Sequence, residues 1–374
     1  MAYDIEETLD IEGHDVVKVS YPISSYVADK GFNDYIVRIL DKDNFDCIFT
    51  MNYIPALAKI SFLRKIKYIA WISDSPNYTT YSEMIHSPYN YIFHFDKKEV
   101  ENLRSTGAKN IFHMPLAVNT KRVTKQIETS KIQKNKYKAD VSFLGSLYSD
   151  RDFFDKISGI NDYQKGFVDA VIKAQLLFQG CDLIEEALPK SFIESVLKLV
   201  DFNMDSEIKL SDEKILLDLI RKKATSIERI ELLNFIAKKY QVVLYTGSAD
   251  NMLYHVENRG YLDYNTQTPV MFNSSKINLN ITLRSIQSGI SLRALDIMGA
   301  GGFLISNWQP ELAECFEEGK EVVMYYDRND LMSKIEYYLQ NEDERMKIAE
   351  NGQKKIIEQF DYSCAWKKVF GVVF

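Results

Sequence analysis

Short apolar runs alternate with helical stretches along this chain, and that alternation limits the folds open to it. Cys47–Met51, Tyr68–Ile72, Tyr91–Phe95 and Ile111–Met114 form one series, and Val141–Leu144, Val242–Tyr245, Lys276–Thr282, Phe303–Ile305 and Val322–Tyr325 form a second. Near-continuous apolar runs of this length, separated by helix-length segments, read as parallel strands with both faces covered. The 374-residue length accommodates two such units. The expectation is therefore an α/β protein of two doubly wound domains with a ligand cleft between them.

Three segments break the alternation. Tyr3–Glu12 reads as a helix and Val16–Val19 as a strand, so the chain opens on a helix. A doubly wound domain usually opens on a central strand, and here that first strand is expected to be missing or substituted. Thr120–Lys138 carries Lys121, Arg122, Lys125, Lys131, Lys134, Lys136 and Lys138 against one acid, Glu128. It reads as an exposed basic linker over 120–139, with attraction to an anionic surface as the sharper alternative. From Arg151 to about Ala237 no strand intervenes, so this segment reads as a helical insertion.

Composition excludes several classes. A net charge of −7 argues against a dedicated nucleic-acid binder. No apolar run is long enough for a transmembrane segment. The acidic N-terminus (Asp4, Glu6, Glu7) does not resemble a signal peptide. Cys47, Cys181, Cys315 and Cys364 are widely spaced, as expected of buried free thiols in a cytoplasmic protein. The histidines show no metal-ligand spacing. Asp41 and Asp43 precede a strand and read as a solvated helix end. GxSxG, HExxH and P-loop patterns are absent, and Gly299–Gly302 ends a helix instead of opening one.

The chemical signals lie in turns that follow strands. In Ser288–Asn307 a turn at Ser288-Gly289 leads into a helix, then glycines, then a short strand. Gly289 and Ser291 lie at the mouth of that helix, whose first N–H groups favour an anion. Arg293 in its first turn opposes the helix dipole unless an anion is present. Asp296 follows on the same face, where it would suit a polyol; an ordinary surface ion pair with Arg293 is the alternative. Gly145-Ser146 with Arg151, Thr246-Gly247, and Thr282–Gly289 with Arg284 are further turns of this kind. Small residues there allow close backbone approach, and arginines converging on a helix N-terminus fit a nucleotide diphosphate. In the first half, Asp74 after a strand and before Pro76 reads as a helix cap or as a catalytic carboxylate. His94 reads as a satisfied core histidine.

SKINLNITLRSIQSGISLRALDIMGAGGFLISNWQPEL, followed by LMSKIEYYLQNEDERMKIAENGQ, resembles the spore-maturation CgeB-like glycosyltransferases of the group-1 GT-B superfamily. The resemblance spans Asp140–Gly145 and Leu244–Phe370, with weaker likeness in Trp71–Pro76 and in IFHMPLAVN at Ile111–Asn119. It implies two Rossmann-like domains: 1–119 for the acceptor, completed by a C-terminal helix over 360–374, and 140–359 for a nucleotide-sugar donor, with the insertion at about 151–237. The wider group carries two glutamates separated by seven residues, at the positions of Ser288 and Asp296 here. Asp296 keeps the acid that binds the ribose, whereas Ser288 lacks the one that meets the donor sugar. Gly145 and Arg151 match diphosphate-binding positions. The implied activity is metal-independent transfer of a sugar, from UDP by expectation, to a hydroxyl of a protein or glycan. Arg151 and Arg293 would stabilise the leaving diphosphate, Gly145, Ser146, Thr246, Gly247, Arg284, Gly289, Ser291 and Asp296 would bind the donor, and Asp74 would act on the acceptor side. No cofactor is expected. A GT-B-like epimerase or phosphorylase, and a nucleotide-binding scaffold without turnover, are the alternative readings.

Overall fold

A computed structural model describes residues 2–149, 154–202 and 205–374. The chain divides into two compact units, the first comprising Met1–Leu116, Phe202–Asp212 and Tyr362–Phe374, the second Ala117–Asp201 and Glu213–Asp361.

The first unit opens with helices α1 (Ala2–Ile11) and α2 (Lys30–Leu40). Asp29 caps α2, accepting from the Phe32 N–H, while the Ser24 hydroxyl also donates to it at 2.6 Å. These donors favour the carboxylate and hold its pKa down to about 2. Val16–Val19, expected as a strand, is exposed and forms no regular element. Strand β1 (Cys47–Met51) leads through α3 (Pro55–Arg64) to β2 (Lys67–Ile72), then β3 (Asn90–His94), α4 (Lys97–Ser105) and β4 (Ile111–His113). Pro55 starts α3 at a position where no N–H is needed. The sheet is parallel in the order β1-β2-β3-β4, with Thr50 beside Ala70 and Ala70 beside Ile92. Among the described residues, no strand precedes β1.

The helix Tyr362–Val373 belongs to this unit. Trp366 meets Phe49 edge-on at 5.0 Å and Trp71 at 6.1 Å, and Tyr362 meets Trp71 at 5.8 Å. Such aromatic contacts add about 0.5–1.5 kcal/mol each beyond area burial. The segment Phe202–Asp212 also lies here, with the Lys209 N–H donating to the Tyr81 carbonyl at 2.7 Å.

The second unit starts with α5 (Thr120–Thr129) and a 3-10 segment over Lys131–Tyr137, so the basic stretch is helical. After β5 (Val141–Leu144) come helices α6 (Asp162–Gln175), α7 (Leu183–Ala187), α8 (Lys190–Leu197) and the long α9 (Asp212–Ala237). A capping box opens α6: Asn161 and Gln164 each accept the other's backbone N–H. Then follow β6 (Val242–Tyr245), β7 (Val256–Asn258), α10 (Thr268–Ser274), β8 (Ile277–Asn280), α11 (Leu292–Gly299), β9 (Leu304–Asn307), α12 (Pro310–Cys315), β10 (Val323–Tyr325), α13 (Arg328–Gln340) and α14 (Glu342–Gln359).

All six strands are parallel, in the order β10-β9-β8-β5-β6-β7. This is the doubly wound order, and its direction reverses between β5 and β8. Val141, Phe143, Leu244, Leu279, Ile305 and Val323 form the core with Leu233 and Ile236 of α9 and Ile335 of α13. Thus the end of α9 is a sheet-covering helix, continuous with the insertion. Gly302 is required for close packing, because a Cβ there would lie 2.6 Å from the Phe272 carbonyl oxygen. Among the described residues, no helix is long and apolar enough to cross a membrane.

Ile305 is fully buried on β9, an interior strand of the sheet. Ile305→Ala should cost about 2–5 kcal/mol of stability, read from denaturant unfolding, through lost contacts and the remaining cavity.

Candidate functional site

At the switch point between β5 and β8, two arginines share one ring. Phe143 on β5 has the guanidinium of Arg293 5.0 Å from its centroid and that of Arg229 at 5.3 Å. Arg293, from the first turn of α11, crosses back over the turn after β5. Gly145 permits this, for a Cβ at that residue would stand 2.5 Å from Arg293 Nη2. Asn280, at the end of β8, accepts from Arg293 Nη1 and from the Ser291 hydroxyl, each at 3.0 Å. Its amide in turn donates to Thr282 and Ser306. Arg293 Nε is buried without a hydrogen-bond partner. Part of the side chain reaches solvent, but burial of the guanidinium, with Arg229 close by, lowers its pKa and disfavours the charged form.

The neighbouring turns are tied to one another. Ser146 Oγ lies 3.1 Å from Ser248 Oγ, which accepts the Leu147 N–H, and Thr246 Oγ1 accepts the Ser248 N–H. Gly247 sits between them in the same turn. Ser291 is the N-cap of α11 but makes no side-chain cap, since its hydroxyl goes to Asn280. The first N–H groups of α11 therefore lack a side-chain cap and favour an anion.

Other predicted residues have different surroundings. Arg284 makes a two-bond pair with the buried Glu228 at 2.6 and 2.8 Å, so its charge is already matched. Ser288 donates to Glu311 at 2.7 Å and its carbonyl accepts the Glu311 N–H at 3.2 Å, which fastens the turn beside the buried Gly289. Asp296 accepts from the Tyr264 hydroxyl at 3.1 Å and lines a small cleft with Arg122, Tyr264, Thr268, Pro269 and Phe272. Arg151 lies outside the described residues. Asp74 belongs to the first unit, exposed, where it accepts from Asn52 Nδ2 at 2.8 Å and caps no helix. Asn52 holds a left-handed φ of 61° and accepts the Ser73 N–H, which ties the ends of β1 and β2.

Arg229, Asn280, Tyr264 and Glu311 were not anticipated. Arg229 left a trace: with Thr225, Leu233 and Ile236 it occupies one stripe of α9, all buried. A charge on an apolar stripe needs an internal partner.

His94 corrects the expectation of a satisfied core histidine. Its Nδ1 accepts the Asp96 N–H at 3.1 Å, which places the ring proton on Nε2, and Nε2 has no partner. Burial pushes its pKa from 6.5 down to about 4, opposed by Asp96 and assisted by His113. The unfolded chain thus takes up a proton before the folded one does. Stability assigned to His94 should be intact above pH 6.5 and be lost progressively towards about pH 4. Thermal melts across that window should show the slope, and His94→Asn should flatten it.

Over residues 227–370 the chain matches the family model described as glycosyl transferase-like. That span takes in Arg229, Arg293 and Asp296 and every strand of the second sheet except β5. No curated protein matches the chain. Among solved structures, HepE of Anabaena in complex with UDP-glucose is 11% identical, with 91% of this chain and 81% of that chain covered and a TM-score of 0.52. The UDP-forming α,α-trehalose-phosphate synthase from Burkholderia xenovorans is 13% identical, with 92% and 77% covered and a TM-score of 0.50. These likenesses establish the fold, the GT-B type of two Rossmann-like α/β units.

Gly145→Ala should push Arg293 off the turn after β5. Calorimetry with pyrophosphate should then show affinity reduced by about tenfold or more, the value of one charge-assisted contact. Unchanged affinity would mean that Arg293 does not hold the anion.

Proposed function

We propose that the protein is a glycosyltransferase of the CgeB-like group, moving a sugar from UDP to a hydroxyl on a protein or glycan. One observation carries the reading. Arg293 lies at the uncapped start of α11 with a buried, unpartnered Nε, beside a glycine whose missing side chain makes room for it. That arrangement suits a diphosphate, on which negative charge grows as the bond from the sugar to the phosphate oxygen breaks. A fixed guanidinium and a helix N-terminus are stabilised by that growing charge without rearranging. The family match over 227–370 and the fold shared with a UDP-glucose complex support the same reading.

The other roles follow from position. Asp296, steadied by Tyr264, receives the ribose hydroxyls. Ser146, Thr246 and Gly247, in turns leaving β5 and β6, border the phosphates, and the sequence resemblance assigns Arg151, outside the described residues, to the same ligand. Arg284, paired with Glu228, shapes the loop and leaves the phosphate to the others. Asp74 with Asn52 serves the acceptor hydroxyl. Arginines and the helix terminus perform the charge stabilisation in this reading, so no metal enters it. A cytoplasmic location belongs to this reading; the four cysteines are free but, against expectation, none is buried, Cys181 being exposed and the other three half-buried.

The test is release of nucleotide from a panel of UDP-, GDP- and dTDP-sugars, with and without EDTA. Wild-type protein should slowly hydrolyse a UDP-sugar regardless of EDTA. Arg293→Ala should lose about 2–4 kcal/mol of transition-state stabilisation, with the melting temperature preserved. Asp296→Ala should weaken donor binding. Full activity in Arg293→Ala would overturn the assignment. Nucleotide binding without release from any donor would make the protein a nucleotide-binding module.

A further inference from the structure

Arg229 is 2% exposed, and its bonds go to carbonyls of two different loops. Nη1 donates to the Ser146 carbonyl at 2.6 Å; Nε and Nη2 donate to the Ile281 carbonyl at 3.2 and 2.6 Å. Ser146 lies in the turn leaving β5, and Ile281 is the first residue beyond β8. These strands flank the switch point of the sheet. One side chain from the insertion helix α9 therefore joins the two loops that border the anion site.

The charge of Arg229 has no direct counter-ion. Glu228, its neighbour on α9, is committed to Arg284. Among the described residues, neither Arg229 nor Arg293 forms an ion pair with a carboxylate. Two cations thus flank one phenyl ring, with Tyr148 beside both, Glu228 acting on Arg229 at a distance and Asp296 on Arg293. A buried arginine placed for stability alone is normally paired, since an unpaired buried charge costs several kcal/mol. A ligand bearing two or more negative charges relieves both cations together.

We propose that Arg229 is a positioning residue for the diphosphate, bridging the β5 and β8 loops through their carbonyls so that Arg293 and the turn at Gly145 keep the spacing the ligand requires. This inference rests on the nucleotide-diphosphate reading given above. It makes the contribution of Arg229 specific to the phosphates, with the nucleoside held elsewhere, near Asp296 and Tyr264. A merely structural arginine would affect both parts of the ligand alike.

The experiment is calorimetry of the full chain with UDP and, separately, with uridine, for wild type, Arg229→Met and Arg229→Lys, with melting curves to confirm folding. Wild type should prefer UDP strongly. In Arg229→Met the ratio of UDP to uridine affinity should fall by about tenfold or more, with uridine affinity retained. Lysine lacks the planar fork that reaches two carbonyls, so Arg229→Lys should also lose ratio, though less. An unchanged ratio in either folded variant overturns the proposal, and if the methionine variant does not fold, the lysine variant decides. Wild-type protein that binds uridine and UDP equally, or neither, overturns the donor-site reading itself.

Discussion

Two arginines held against Phe143 at the switch point are the constraint around which the second unit is arranged. Arg293 can lie against β5 only because residue 145 has no side chain, and it stays there because Asn280 accepts from it. Asn280 can do so because Thr282 and Ser306 take up its amide. That chain of bonds crosses from α11 through β8 to β9, in the buried centre of the sheet. Strand interiors of parallel sheets are usually apolar. Here Ser142, Asn278, Asn280 and Ser306 form a polar seam, each bonded, in positions where an aliphatic residue would pack with less specificity.

The insertion is part of this arrangement. On α9, Asp218 accepts from Ser285, Thr225 accepts the Arg284 N–H at 2.9 Å, Glu228 pairs with the Arg284 side chain, and Arg229 holds the Ile281 carbonyl. Asp182, the cap of α7, accepts from Gln287 at 3.4 Å and is itself held by Arg221 of α9. The loop from Ile281 to Gln287 is thus bonded to the helical insertion at Ile281, Arg284, Ser285 and Gln287. A loop of this length left to itself would sample many conformations. Tied along α9, it delivers Ser288 and the start of α11 in one.

Much of this was legible in the sequence because local pattern and tertiary role coincide. Apolar runs such as Tyr68–Ile72 and Val242–Tyr245 became strands because they are buried on both faces, and the turns expected at Gly145-Ser146 and Gly247-Ser248 do follow β5 and β6. Where local pattern and tertiary context part, the reading failed. Val16–Val19 has β-branched residues but finds no strand to pair with, and propensity alone cannot make a ladder. β7 was missed because a three-residue edge strand, with Glu257 exposed, carries no apolar period. Arg284 looked like a ligand for phosphate because its partner Glu228 lies far away in sequence. Arg229 was hidden for the same reason: the carbonyls it holds belong to loops on either side of it in the chain.

The helix Tyr362–Val373 carries a consequence for how this protein is made. Trp366 and Tyr362 pack edge-on against Trp71, which is 1% exposed. A ribosome delivers those residues only after the second unit, long after β1 to β4 have emerged. The first sheet therefore waits, with an apolar face bare, through synthesis of the whole second unit. The two units leave the ribosome in one order and reach completion in the other, and a chain stopped before Tyr362 would expose the face that Trp366 is meant to close.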